Sequence, residues 1–470
     1  MGSFISSYIF PHPPIIIPEI GRGEENNASS TVNATKRAAQ EIKKEKPTTI
    51  IITTPHGPAF SDYIYIPLQS RLKGDLGKFG AGNVKMEVET NISLAEDIVT
   101  RARQEGITAG DIEESILKKY GHSSSMDHGV TVPLYYVNKE YADYKLVYIS
   151  VALMPFEELY RFGMCIKRAV EESNERVVLI ASGDLSHRLT HDAPYGFNKH
   201  GREFDDLLIK SVEELDVETL MGMDEDFCRD AGECGLRSFL MMFGALDGYS
   251  LKPDIYSYEG PFGVGYSIAR IGVGEKAGTT NILSKVREAK MKKLEGVRKN
   301  EDPYVRLARK SLETYIREQR VLKVPDDLPE EMLINEAGTF VSIKKDGQLR
   351  GCIGTTEATR NNVAEEIIYN AISSGTRDPR FDPVEEEELD ELVYSVDVLG
   401  KTEPIASMEE LDVIRYGVIV KTGRRSGLLL PNLDGVDTPE QQVSIALQKA
   451  GIKQGEKYEM ERFEVIRHKA

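Results

Sequence analysis

The sequence is short of cysteine, of long apolar runs and of positive charge. Its four cysteines, Cys165, Cys228, Cys234 and Cys352, show no CxxC spacing. This argues against a structural zinc site and a disulfide framework, and it fits a reduced, cytoplasmic protein. No stretch approaches the ~18 consecutive apolar residues of a membrane span. The first ten residues lack the basic and leucine-rich regions of a signal peptide and read instead as a first strand. Asp plus Glu number 76 against 59 Lys plus Arg, a formal net charge of −17. Phosphate backbones are held by clustered cations, so neither nucleic acid nor a membrane is an expected partner. Internal repeats are absent, and the acidic run Glu385–Glu388 reads as a solvated helix face or loop.

A chain of 470 residues is too long for one core. Over 1–275, apolar runs (50–52, 145–153, 177–182) alternate with helical patterns (29–45, 94–104, 155–172, 201–215). That alternation predicts an α/β domain, a mixed sheet with helices on both faces. Residues 276–299 are rich in Lys, Glu and Ala and read as a polar helical linker. From 300 to 470 an amphipathic helix (303–318) precedes strand runs at 338–344, 392–399 and 417–420 and further helices at 362–373 and 438–450. An α+β domain is expected there. Thr438 is placed as an N-cap, Pro439 at the first helical position and Gly451 just past the end.

Seven of the eight histidines fall in the first 200 residues. His12, His56, His128 and His187 each flank a β-like apolar run, and ligands of open α/β sheets bind outside the carboxyl ends of the strands. Imidazole is the commonest metal ligand. Two histidines and one carboxylate make a facial site with open positions for oxygen and substrate. His12 and His56 follow strand runs and are fixed by neighbouring Pro or Gly; Glu259 ends a strand run before Gly260-Pro261-Phe262-Gly263. The competing reading makes them loop residues beside prolines. His122 and His191 lie in polar contexts and are read as surface residues.

Pro11-His12-Pro13, Pro55-His56-Gly57, Asp127-His128-Gly129-Val130 with Val132-Pro133-Leu134, and Ser182-Gly183-Asp184-Leu185-Ser186-His187 resemble the catalytic subunits of the class III extradiol ring-cleaving dioxygenases. The related Memo family shares the fold. The resemblance covers about residues 4–273. It implies His12, His56 and Glu259 as ligands of Fe2+, with Zn2+ or Cu as alternatives, and His128 and His187 as acid/base groups. Asp184 would orient His187 or contact substrate, or hold a turn; His200 would line the substrate pocket or contact a helix N-terminus. In many Memo relatives the third ligand is a cysteine, whereas Glu259 keeps the carboxylate pattern of an oxygenase.

In the second domain, Leu349-Arg350-Gly351-Cys352-Ile353-Gly354, Arg377-Asp378-Pro379-Arg380-Phe381 and Gly427–Pro431 resemble the AMMECR-type domain. Arg350, Arg377 and Arg380 are candidate anion binders, and Cys352 beside Arg350 is either a reactive thiol or a packing residue in a turn held by Arg–Asp pairs. The two domains in this order resemble the fused proteins of the AmmeMemoRadiSam set. The sequence has no CxxxCxxC cluster motif, so a radical SAM partner would be a separate chain. The expected activity is a non-haem iron dioxygenase acting on a catechol-like aromatic and dioxygen. The alternatives are a metal-binding scaffold for a radical SAM partner and a zinc-dependent hydrolase or ligase. Homo-oligomerisation is compatible with the sequence.

Overall fold

A computed structural model describes residues 2–278, 280–433, 435–453 and 455–469. The chain divides into two compact units, Met1–Val286 and Arg287–Ala470, with the division inside one helix, Ile282–Lys299.

The first unit is built on an eight-stranded mixed sheet. Its centre consists of Lys145–Ser150, Thr49–Thr54, Arg176–Ser182 and Ser3–Phe10, side by side and parallel. Tyr266–Lys276 and Tyr249–Glu259 extend it antiparallel on one side. Strand residues alternate between two cores, as a pleat of period two requires. Ile51, Val147, Ile149, Leu179 and Ala181 face one core, with helices Ile92–Gln104, Phe156–Glu172 and Leu236–Ala245. Ile50, Ile52, Leu146, Tyr148, Val178 and Ile180 face the other, with Ser29–Glu45 and His128–Glu140. Both faces are covered, so these strands are almost wholly apolar and read plainly from sequence. Because they are parallel, Phe10, Thr54, Ser150 and Ser182 end on the same side of the sheet.

The segment after His128 departs from expectation. Its Val, Thr and Pro residues suggest a strand, yet His128–Glu140 is an α-helix with Pro133 inside it. Asp127 caps that helix by accepting from the Gly129 amide, and burial of its apolar residues outweighs their β preference. The hairpin Arg71–Leu76 and Ala81–Glu89 lies outside the main sheet.

The second unit has a seven-stranded sheet in the order Gln348–Gly354, Thr339–Lys345, Leu392–Leu399, Glu459–Lys469, Tyr416–Thr422, Arg425–Leu429, with Glu403–Ile405 also pairing Glu459–Lys469. Helices Pro303–Glu318 and Val363–Thr376 pack on it around Leu312, Ile367, Val341 and Tyr394. Helix Pro439–Ala450 carries Thr438 as N-cap in a capping box with Gln441, and Gly451 beyond its end. Among the described residues no helix is long and apolar enough to cross a membrane.

Candidate metal centre

His12 follows strand Ser3–Phe10 by two residues and is 1% exposed. Its amide donates to Asp184 Oδ1 at 2.8 Å, and its Nδ1 lies 2.9 Å from Ser182 Oγ. The Ser182 hydroxyl donates to the Gly129 carbonyl at 2.5 Å. That carbonyl would be paired by residue 133 in a regular helix, but Pro133 has no N–H. Ser182 therefore spends its proton on Gly129 and can only accept from His12. The consequence is a fixed tautomer: Nδ1 carries the hydrogen and Nε2 presents its lone pair.

His56 and His128 are brought together by one carboxylate. Asp127 accepts from Thr54 Oγ1 at 2.8 Å, Gly129 N at 2.6 Å and Tyr148 OH at 3.0 Å. It so joins the end of strand Thr49–Thr54, the start of helix His128–Glu140 and strand Lys145–Ser150. Thr54 Oγ1 in turn accepts from the His56 amide at 3.3 Å. Glycine is required at two points here. A Cβ on Gly57 would stand 2.1 Å from Tyr148 OH, and one on Gly129 2.2 Å from Thr54 Oγ1. The His56 and His128 rings stack with centroids 4.3 Å apart, and His12 meets both edge-on at 4.7 and 5.3 Å. One nitrogen of each of the three lies within 4.8 Å of the others.

His187 is near enough to the cluster to help lower the titration of His12 and His56. Its Nδ1 donates to the Leu185 carbonyl at 3.1 Å, which leaves Nε2 as an acceptor. Its backbone is held by Ala231, which accepts from the His187 amide and from the Ser186 hydroxyl, and by Asp205, which accepts from the Ser186 amide at 2.8 Å.

Crowding and desolvation keep all four imidazoles neutral. Burial, then His56, His128 and His187, holds His12 well below the usual imidazole range. Loss of water, then His128, brings His56 down to about 4, although part of its side chain faces solvent. Burial, then the Lys78 ammonium, brings His128 to about 4. Burial lowers His187 against the pull of the Gly232 and Leu185 carbonyls. The set suits a divalent cation: each ring is neutral and free to donate a lone pair. The three nitrogens lie within 4.8 Å of one another, and one ion with metal–nitrogen bonds of about 2.0–2.1 Å would draw them closer together.

The sequence-derived assignments change in several places. Glu259 lies outside the histidine group: its Oε1 accepts from Thr31 N at 2.6 Å and Thr31 Oγ1 at 2.7 Å, in the first turn of helix Ser29–Glu45. His128 takes the third place in the group, where an acid/base role was expected. Asp184 holds His12 rather than His187; burial pushes its carboxyl up to about 7. His200 is committed to Asp230, 3.0 Å from its Nδ1, and to the Phe227 ring. Cys234 was passed over, yet its Sγ lies 3.6 Å from His12 Nε2 and accepts from the Asp184 amide at 3.3 Å. It arrives there because Gly183 and Gly235 touch backbone to backbone; a Cβ on Gly183 would stand 2.1 Å from the Gly235 Cα. Burial and the Asp184 and Glu233 carboxylates hold the Cys234 thiol well above its usual range. In the sequence Gly183 stands before Asp184 and Gly235 after Cys234, but nothing there pairs the two segments.

In the second unit, Arg350 is consumed by Glu388 at 2.8 Å and by the Asp382 and Pro383 carbonyls, so it is no free anion binder. Cys352 accepts from the Ser342 hydroxyl at 3.2 Å, and Asp378 accepts from its amide at 2.8 Å. The guanidinium at its backbone is Arg380, whose Nη2 donates to the Cys352 carbonyl at 3.3 Å. Arg377 is exposed.

Comparison with known proteins agrees with the two-unit division. The family model described as the catalytic LigB subunit of aromatic ring-opening dioxygenase matches residues 6–269, and that of AMMECR1 matches residues 305–468. A protein of Clostridium acetobutylicum is 46% identical over 463 residues, 98% of each chain. A Thermotoga maritima protein is 48% identical over 171 residues, covering 36% of this chain and 98% of its own. An uncharacterized Escherichia coli K12 protein of known structure aligns with 57% of this chain and 100% of its own, at 14% identity and a TM-score of 0.40. One from Pyrococcus horikoshii aligns with 35% of this chain and 88% of its own, at 32% identity and a TM-score of 0.33. The chain therefore belongs to the LigB family of aromatic ring-opening dioxygenase catalytic subunits through its first domain, and carries an AMMECR1 domain behind it.

Proposed function

We propose that the first domain is a metal-dependent oxygenase that binds Fe2+ through His12, His56 and His128 and acts on a catechol-like aromatic with dioxygen. The observation that carries this reading is the group of three neutral imidazoles, one with its tautomer fixed, beside a fourth at the carboxyl ends of the parallel strands. His12, His56 and His128 would hold the ion, which would supply Lewis-acid and dioxygen-activating chemistry there. His187 is the acid/base group. Its Nε2 is an acceptor at pH 7, so it takes a proton from a phenolic hydroxyl and returns it later. Asp184 holds His12 in place by its backbone. The test is anaerobic purification, metal analysis, and oxygen uptake with catechol: iron with uptake supports the reading, and zinc without uptake contradicts it.

A second reading is favoured by Cys234. A thiol against His12 offers a soft donor suited to copper or zinc, as in a metal-binding accessory that serves a separate radical SAM protein. Tight metal without turnover, lost in Cys234→Ser, supports this alternative.

A further inference from the structure

Two stretches of the first unit, 60–63 and 111–120, line a cavity of about 620 Å³ whose lining contains no histidine, lysine or arginine. Small-molecule sites have volumes of this order. Pairing of Ile64–Tyr65 with Ala109–Gly110 brings the two stretches together. Tyr63 OH donates to the Asp111 carbonyl at 3.2 Å, the Thr108 hydroxyl donates to the Asp62 carbonyl, and the Leu153 amide donates to the Phe60 carbonyl at 2.8 Å. The loop that carries the aromatic residues is thereby fixed through its backbone.

Phe60 is the middle ring of three. The Tyr63 ring stands at 87° to it with centroids 6.2 Å apart, and the Tyr120 ring at 87° and 5.9 Å. Tyr120 is 67% exposed and Ile116, one turn earlier, 40%, so apolar surface is left in water on this wall. Aromatic rings attract a cation through their quadrupoles. Elsewhere the chain meets that attraction with its own cations: Arg37 lies 3.6 Å over the Tyr256 ring and Lys139 3.9 Å over that of Tyr135. Among the described residues no lysine or arginine stands over Phe60, Tyr63 or Tyr120.

Asp62, Asp111 and Glu113 line the same cavity. They accept from Ser61 Oγ at 3.4 Å, Ile112 N at 2.9 Å and Ser115 Oγ at 3.4 Å, and among the described residues none of them is ion-paired to a lysine or arginine. Burial raises the Asp111 carboxyl, opposed by the Ile112 and Leu68 amides and by no cation. Arg103 engages the Tyr63 hydroxyl beside Gly110 and stays out of the lining. Solvated carboxylates are common in a chain of net charge −17. These three differ because they share a cavity with three aromatic rings.

We propose that this cavity binds a small organic cation with a methylated ammonium group, held against the Phe60, Tyr63 and Tyr120 rings and neutralised by Asp62, Asp111 and Glu113. Methylation removes N–H donors and leaves a large, weakly hydrated cation, which rings serve better than hydrogen-bond acceptors do. The carboxylates add attraction that needs no direct hydrogen bond. The site is separate from the histidine group and does not depend on what metal that group holds.

Choline and its carbon isostere 3,3-dimethyl-1-butanol share a shape and differ in charge. Titration calorimetry of the full chain with each molecule, at low and high salt, reads the difference. Choline should bind about 10-fold more tightly than the isostere, and the ratio should fall with salt. Tyr120→Leu keeps apolar contact and removes a ring; it should weaken choline about 5-fold and leave the isostere within about 2-fold. Asp111→Asn should weaken choline about 3-fold and leave the isostere unchanged. Both side chains are exposed, and thermal melting of each variant checks that the fold is kept. Loss of the preference in the double variant supports the proposal. Equal binding of the two molecules, binding of neither, or a preference that the double variant retains overturns it. A trimethyllysine peptide that binds more than about 10-fold tighter than choline would assign the cavity to a protein partner and overturn the small-molecule reading.

Discussion

A hydroxyl proton decides which nitrogen of His12 keeps its lone pair. Pro133 leaves the Gly129 carbonyl open, Ser182 donates to it, and His12 must then donate to Ser182. Ser182→Ala should lower metal affinity 10–100-fold, the usual effect of losing a residue that orients a metal-bound histidine. Pro133→Ala gives a result of mixed sign. The helix gains a hydrogen bond and up to ~3 kcal/mol, while Ser182 is freed from Gly129 and metal binding weakens. Thermal melting of the metal-free protein together with metal titration separates the two effects; if affinity is unchanged, the relay through Ser182 is wrong. His187→Ala should keep its metal and lose about 10²–10⁴-fold in turnover. At this scale the sequence was half legible. His12 and His56 stood out because Pro and Gly fix them at strand ends. Glu259 misled, because a strand end does not tell which way a carboxylate turns, and its partner Thr31 lies 228 residues away. Cys234 was illegible because its approach depends on the Gly183–Gly235 contact between distant segments.

The element that matters most is helix His128–Glu140, whose first residue is in the site and whose N-cap ties three segments together. Asp127→Ala removes the cap and two further acceptors, and should cost about 1–2 kcal/mol of stability and at least 10-fold in metal affinity. Asp127→Asn keeps an acceptor for Gly129 and should retain most of both. Chemical denaturation and metal titration of the two variants check this; equal behaviour of Ala and Asn would mean that Asp127 does not set the positions of His56 and His128. The parallel strands were readable as elements because burial on both faces leaves them unmixed. This helix was not, since its β-branched residues and Pro133 pointed to extended chain and only tertiary burial overrides them.

For the molecule as a whole, the two-domain plan was visible as a change of composition near residue 275, although the division falls inside the helix that follows. A buried carboxyl couples the stability of the first unit to pH. Asp205 is fully buried, and burial pushes its pKa up to about 7 despite donation from Ser186 N and Tyr258 OH. The native state therefore holds a proton that the unfolded chain, titrating near 3.8, has lost. Its contribution is complete below about pH 4 and fades as pH rises through 7, by up to a few kcal/mol. Asp205→Asn should flatten the fall in melting temperature between pH 5 and 8; an unchanged slope would show that other groups set it.

In the proposed site His128, and not Glu259, completes the ligand set with His12 and His56. Metal content of the anaerobically purified full chain decides between the two. One ion per chain is expected in the native protein and in Glu259→Ala, and less than about a tenth of that in His12→Ala and His128→Ala. Full occupancy in His128→Ala together with loss in Glu259→Ala would contradict it.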